Sequence, residues 1–163
     1  MRIAVFSDSH NDIKTIRQAT ARVMPDMIFH LGDMVSDAKA LQIAFPDIPL
    51  YRVAGNNDYG REAEDTLEVE LCGKRMVLTH GHLFSVEGGT AELRQYAASK
   101  KCTIALFGHT HEAFARLRHG VWLLNPGRVG RRTLSPYTAT YGILTLEDGG
   151  MRWELVEIPE NNK

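Results

Sequence analysis

The chain has 163 residues, 44% apolar and 24% charged, with 19 basic and 20 acidic side chains and a net charge of −1. That length suits one domain with a sizeable core, at about 100–200 residues per domain. The near balance of charge gives no reason to expect nucleic acid or a membrane surface as partner, and no apolar run approaches the ~20 residues that span a bilayer.

In chain order, Arg2–Ser7 reads as a buried strand. Asn11 or Asp12 can cap a following helix, in which Ile13, Ile16, Thr20 and Val23 recur at helical spacing before Pro25 ends it. Met27–Leu31 is the second strand, Asp37–Phe45 is helical, and Leu50–Ala54 is the third strand. This β-α-β-α-β order predicts a parallel sheet with helices packed on it. The pattern then turns to hairpins. Leu67–Leu71 pairs with Arg75–Thr79, Ala113–Arg118 with Val121–Leu124, and Ala139–Leu146 with Met151–Ile158. A helix over Thr90–Lys101 and a buried strand at Thr103–Phe107 lie between. Two sheets packed face to face, with helices outside, accommodate both halves. Residues 1–158 are expected to form a single domain and Pro159–Lys163 a polar tail. A strand at the very start leaves no room for a signal peptide, and Cys72 and Cys102 form no CxxC pair, so a cytosolic protein without disulfides is expected. Both cysteines read as small buried apolar residues.

Five segments carry the chemistry: Asp8-Ser9-His10, Gly32-Asp33, Gly55-Asn56-Asn57-Asp58, Thr79-His80-Gly81-His82 and Gly108-His109-Thr110-His111. Each follows a short apolar run, and sites in open α/β sheets form beyond the carboxyl ends of strands. Asp8 and His10 are expected to share a face of extended chain, as are His109 and His111. Glycines 32, 55, 81 and 108 let the backbone turn sharply beside a ligand. Carboxylates, an amide and imidazoles together suit manganese, iron, nickel or zinc better than calcium, and the lack of thiolates speaks against structural zinc. Two-metal hydrolysis needs a carboxylate shared by both ions, and Asp33, alone after its strand, is the candidate.

This ordered series resembles that of the calcineurin-like metallophosphoesterases, above all their small bacterial and archaeal phosphodiesterase branch. The likeness covers nearly the whole chain, including the Asn125-Pro126-Gly127 turn. It implies a four-layer α/β/β/α sandwich of two mixed sheets and a dinuclear site. By resemblance, Asp8, His10, Asp33 and His111 hold one divalent ion, and Asp33, Asn56, His80 and His109 the other. Manganese is the first choice of ion, with nickel, iron and zinc as alternatives. The implied activity is hydrolysis of small phosphodiesters by a hydroxide that two metals activate. The alternatives are a phosphomonoesterase of the same fold and a non-catalytic scaffold, as in a retromer coat subunit. A homodimer is consistent with the family.

Two positions depart from the family pattern. Many members carry a histidine where this chain has Asn57, thought to protonate the leaving group; general acid catalysis is often worth about 10²–10⁴-fold. His82 is the best placed replacement, with substrate contact and structural support equally open for it. Asp58 is expected to support the Asn56 loop. Asp33, His82, Asn57 and Asp58 are thus the candidates around the reacting group, and Asn11, Asn56, His82 and Arg128 those for substrate, although helix capping explains Asn11 with fewer assumptions. The second departure is Arg128, where relatives usually have serine, followed by Arg131 and Arg132. This loop suits bidentate phosphate binding, and a solvated basic turn is the simpler reading. His30 reads as a hydrogen-bonded core histidine and His119 as an exposed turn residue.

Overall fold

Alternate residues of the first strand face two different cores, and that alternation builds the layers. In β1 (Arg2–Phe6), Ile3 and Val5 join Met27, Phe29, Met76, Leu78, Ile104, Leu106 and Leu144 in one buried cluster, while Ala4 and Phe6 join Ile16, Ile28 and Leu41 in another. The first cluster lies between two sheets; the second lies under helices α1 (Ile13–Val23) and α2 (Val35–Ala44). A third cluster, with Val77, Ala105, Leu93 and Ala97, packs α3 (Ala91–Ser99) on the far side of the second sheet. The result is the expected α/β/β/α stack.

We describe residues 1–60, 62–130 and 135–159 of a computed structural model. Arg131, Arg132 and most of the anticipated tail, residues 160–163, lie outside them. Besides β1, the strands are β2 (Met27–His30), β3 (Leu50–Arg52), β4 (Thr66–Leu71), β5 (Lys74–Thr79), β6 (Ile104–Leu106), β7 (Ala113–Arg118), β8 (Val121–Pro126), β9 (Thr140–Glu147) and β10 (Gly150–Glu157). One sheet has the order β10-β9-β1-β2-β3 and the other β4-β5-β6-β8-β7. In the first, β1, β2 and β3 run parallel, with Ile3 opposite Met27 and Ile28 opposite Leu50, and the β9–β10 hairpin adds antiparallel to β1. The second sheet has a parallel centre, β5-β6-β8, flanked by the hairpin partners β4 and β7. Both sheets are therefore mixed, and the parallel strands of each end at the same edge as the five chemical segments.

Local chemistry sets the helix boundaries. The Asp12 carboxylate caps α1 by accepting from Thr15 N–H at 3.2 Å, and Met24 closes it in a left-handed conformation. Met34, at the start of α2, has no side-chain cap; the Val35 N–H instead donates to the distant Asp58 carboxylate at 2.7 Å. A 3₁₀ turn, His82–Phe84, lies outside the expected elements. Cys102 is buried as expected, but Cys72 is exposed, because it sits in the left-handed turn of the β4–β5 hairpin. Among the described residues no helix is long and apolar enough to cross a membrane.

Candidate metal centre

The loops after β1, β2, β3, β5 and β6 meet at one edge. Asp8 is fully buried there, and its Oδ1 faces Nε2 of His111 at 3.2 Å and those of His10 and His80 at 3.9 Å each. Asp33, 2% exposed, turns Oδ1 to His80 Nε2 at 3.4 Å and Oδ2 to His10 Nε2 at 3.9 Å. Asn56 Oδ1 lies 3.1 Å from His80 Nε2. Ligand atoms of Asp8, His10 and His111 form one group, and those of Asp8, Asp33 and His80 a second, each within 4.8 Å. Asp8 is common to both groups, while Asp33 reaches one imidazole of each. His109 stands at the rim of the second group: its ring is 5.1 Å from that of His80, and its Nε2 is 3.5 Å from the Glu87 carboxylate.

The convergence does not come from extended chain. Asp8 (φ 54°), His10 (φ 45°), Asn11 (φ 64°), Asp33 (φ 53°), His109 (φ 68°) and His111 (φ 61°) are all left-handed, a conformation that costs a non-glycine residue roughly 1–2 kcal/mol. Asp8 and His10 still point into one group, though not from extended chain, whereas His109 and His111 do not share a face. His111 points with His10 into the first group, their rings 5.4 Å apart, while His109 points toward His80 and His82. Gly55 and Gly108 also serve differently from expectation. Neither has a positive φ; a Cβ at Gly55 would collide with the Asp33 carboxylate, and one at Gly108 with the Ser7 hydroxyl.

Supporting hydrogen bonds fix these strained loops. Ser7 Oγ donates to Asp8 Oδ2 at 2.6 Å, and His109 N–H donates to the same oxygen at 3.2 Å. Burial pushes the Asp8 carboxyl up, but the His111 and His80 rings when protonated, together with the Ser7 hydroxyl, outweigh it and pull its pKa below the ordinary value. The Asp58 carboxylate accepts from Asp33 N–H (3.1 Å), Val35 N–H (2.7 Å) and Gly55 N–H (2.8 Å), tying the Asp33 loop to the Asn56 loop. Asn57 bonds both Asp33 oxygens. Asp37, 1% exposed, accepts from Ser9 Oγ at 2.7 Å and Asn11 N–H at 2.8 Å, pinning the Asp8–His10 loop; the Asn11 side chain itself is exposed. Asn125 donates to the Gly108 carbonyl at 2.9 Å and to Thr110 Oγ1 at 3.2 Å, holding the His109 loop from β8.

His80 presents a lone pair to this centre. Its Nδ1 donates to the Leu31 carbonyl at 2.8 Å, so in the neutral ring Nε2 carries no proton where it faces Asp33, Asp8 and the Asn56 carbonyl oxygen. Asp8 Oδ1, buried, accepts no hydrogen bond of good geometry from any described residue. Oxygen and nitrogen acceptors directed at one another in a buried place repel unless a cation lies among them, so the donor set fits divalent metal.

His82 is half-buried beside this cluster, its ring 5.5 Å from that of His80 and 6.2 Å from that of His109. Burial, reinforced by those two imidazoles, pushes its pKa down. Arg128 is not a solvated turn. It is 5% exposed, and its guanidinium donates to the Gly130 carbonyl and, at 2.6 Å, to that of Tyr137; it braces its own loop. His30 is fully buried against Ser9 Oγ at 3.0 Å, and His119 is exposed in its hairpin turn. Sequence reasoning passed over Ser7, Ser9, Asp37 and the role of Asn125. The two serines flank Asp8 and offered a local signal; Asp37, inside a helix pattern, offered none.

The fold and this cluster define a metallophosphoesterase. The chain belongs to the calcineurin-like phosphoesterase superfamily, whose domain profile matches residues 1–149. A protein of Bacillus subtilis named a probable metallophosphoesterase is 29% identical over 153 residues, covering 91% of this chain and 86% of that protein. A phosphodiesterase of Methanocaldococcus jannaschii is 28% identical over 165 residues, covering 90% and 94%. Among solved structures, an uncharacterised Streptococcus pneumoniae protein, described as a predicted phosphoesterase, superposes with a TM-score of 0.80 at 27% identity, covering 96% of this chain and 88% of that one.

Proposed function

We propose that the chain is a phosphodiesterase that works with two divalent ions, manganese first among them. The observation that carries this reading is the buried Asp8 Oδ1, facing three imidazole nitrogens and accepting a well-formed hydrogen bond from none of them. Asp8, His10, Asp33 and His111 would hold one ion, and Asp33, Asn56, His80 and His109 the other. Bound there, such ions supply Lewis acidity, lowering the pKa of water and neutralising phosphoryl charge. The chain's own residues do the rest. The Leu31 carbonyl orients His80, Ser7 and His109 N–H orient Asp8, and Asn57 and Asp58 fix Asp33. Asn57 is an amide bound to a carboxylate and offers the leaving group no acidic proton, which supports activated diesters over alkyl monoesters as substrates. His82, whose ring adjoins those of His80 and His109, would be the side chain that meets substrate. The free thiols at Cys72 and Cys102 accord with a cytosolic enzyme.

The test is hydrolysis of bis(4-nitrophenyl) phosphate by metal-stripped protein with and without manganese, alongside 4-nitrophenyl phosphate. Manganese should restore turnover, with the diester favoured. No metal-dependent turnover, or full activity retained by Asp33→Ala, defeats the reading. A preference for the monoester would make the protein a phosphomonoesterase instead.

A further inference from the structure

Beside the metal centre lies a half-open cavity of about 480 Å³. Val86 and Phe107, 5% and 2% exposed, line it from the core, and Phe114 and Tyr137 stand at its side. The Phe107 and Phe114 rings pack edge to face at 5.9 Å. Two carboxylates, Glu87 and Glu112, form its exposed rim. Glu87 reaches His109 Nε2 at 3.5 Å, and Tyr137 Oη donates to Glu112 Oε2 at 3.3 Å. Thr110, between His109 and His111, lines the same space, so the cavity adjoins the cluster where a phosphate would sit. Arg116 stacks over the Phe114 ring at 5.6 Å and is not among the residues lining the cavity.

A phosphodiester brings organic groups as well as a phosphate, and an apolar hollow of ligand size next to a phosphate site suits one of them. Aromatic walls favour a flat ring. Rim carboxylates repel a second anion, since like charges brought together across an interface disfavour binding. Building on the phosphodiesterase reading, we propose that this cavity takes an uncharged ring-bearing ester group, an aryl or nucleoside alcohol, and rejects one carrying a further negative charge. Polynucleotides and nucleoside polyphosphates are thereby disfavoured.

The experiment uses the manganese-loaded enzyme and two diesters of matched shape, bis(3-carbamoyl-4-nitrophenyl) phosphate and its 3-carboxy counterpart, so that either ring entering the cavity carries the same charge. The wild type should show kcat/KM at least about tenfold higher for the amide. Glu112→Gln should narrow that ratio severalfold and Glu112→Lys should close or reverse it, while Phe114→Ala should raise KM for the amide diester. Equal kcat/KM in the wild type, or one unchanged ratio across the Glu112 variants, overturns the proposal and leaves the phosphodiesterase reading standing. Turnover of neither diester overturns the proposal alone if bis(4-nitrophenyl) phosphate is still hydrolysed, and takes both readings down if it is not.

Discussion

Asn57 holds the Asp33 carboxylate by both oxygens, its backbone N–H donating to Oδ1 at 3.1 Å and its side-chain amide to Oδ2 at 2.5 Å. Asn57 is thus a positioning group for the carboxylate placed between the two ligand groups. Losing an outer partner of a ligating group typically costs 10–100-fold in metal affinity. Asn57→Ala should therefore weaken manganese binding, read by isothermal titration, by about that factor, with an unchanged circular dichroism spectrum. Unaltered affinity would show that Asn57 contributes nothing to the centre.

Asp58 acts on stability. Its carboxylate accepts three backbone N–H groups from two loops, one of them at the start of α2, where a negative charge is favoured by the helix dipole. Hydrogen bonds to charged groups are worth about 1.5–3 kcal/mol each, and they are not additive here. Asp58→Ala should destabilise the fold by about 3 kcal/mol in urea unfolding, whereas Asp58→Asn, which keeps one acceptor oxygen, should lose roughly half as much. Equal stability of all three proteins would contradict the account of this loop junction.

Burial lowers the His30 pKa to about 4, and nearby carboxylates only partly oppose the shift. The folded state therefore keeps His30 neutral between about pH 6.5 and 4, while the unfolded chain takes up a proton there. Stability is unaffected above about pH 6.5 and falls progressively as pH drops toward 4, by on the order of 3 kcal/mol in all. Asp37, raised by burial, titrates with the opposite sign, being better accommodated once protonated. Denaturation of the metal-free protein from pH 7.5 to 4 should show the decline, and His30→Gln should remove most of it. A slope identical in both proteins would refute the assignment.

The two thiols should separate cleanly. Cys72 is exposed, whereas Cys102 is buried and its pKa is raised by that burial. A thiol reagent at neutral pH should modify one cysteine in the folded protein and two in denaturant, and Cys72→Ser should abolish the rapid phase. Two rapidly modified thiols in the native state would contradict the packing around Cys102.

Much of the architecture was legible because short apolar runs bounded by turn residues mark buried strands directly. The β9–β10 hairpin around Asp148-Gly149-Gly150 is one example, and α1 is another, its cap falling on Asp12 and not on Asn11. The order of Asp8, Asp33, Asn56, His80 and His109 after successive strands was enough to place them at one edge. What stayed hidden depends on backbone conformation and on distant partners. Six left-handed non-glycine residues aim the donors, and nothing in local composition announces them. Arg128 read as a surface charge because its acceptors are backbone carbonyls at Gly130 and Tyr137, which a sequence pattern does not display. Asp37 read as an ordinary helix residue because its partners, Ser9 and Asn11, lie more than twenty positions away.

The central claim is that these loops assemble a paired cation site around Asp8 and Asp33. Anomalous diffraction from crystals grown with manganese reads it most directly. The account predicts two peaks, one in contact with His10 and His111 and the other with His80 and His109, with Asp33 adjoining both. A single peak on the surface, or no peak among these side chains at saturating manganese, would contradict it.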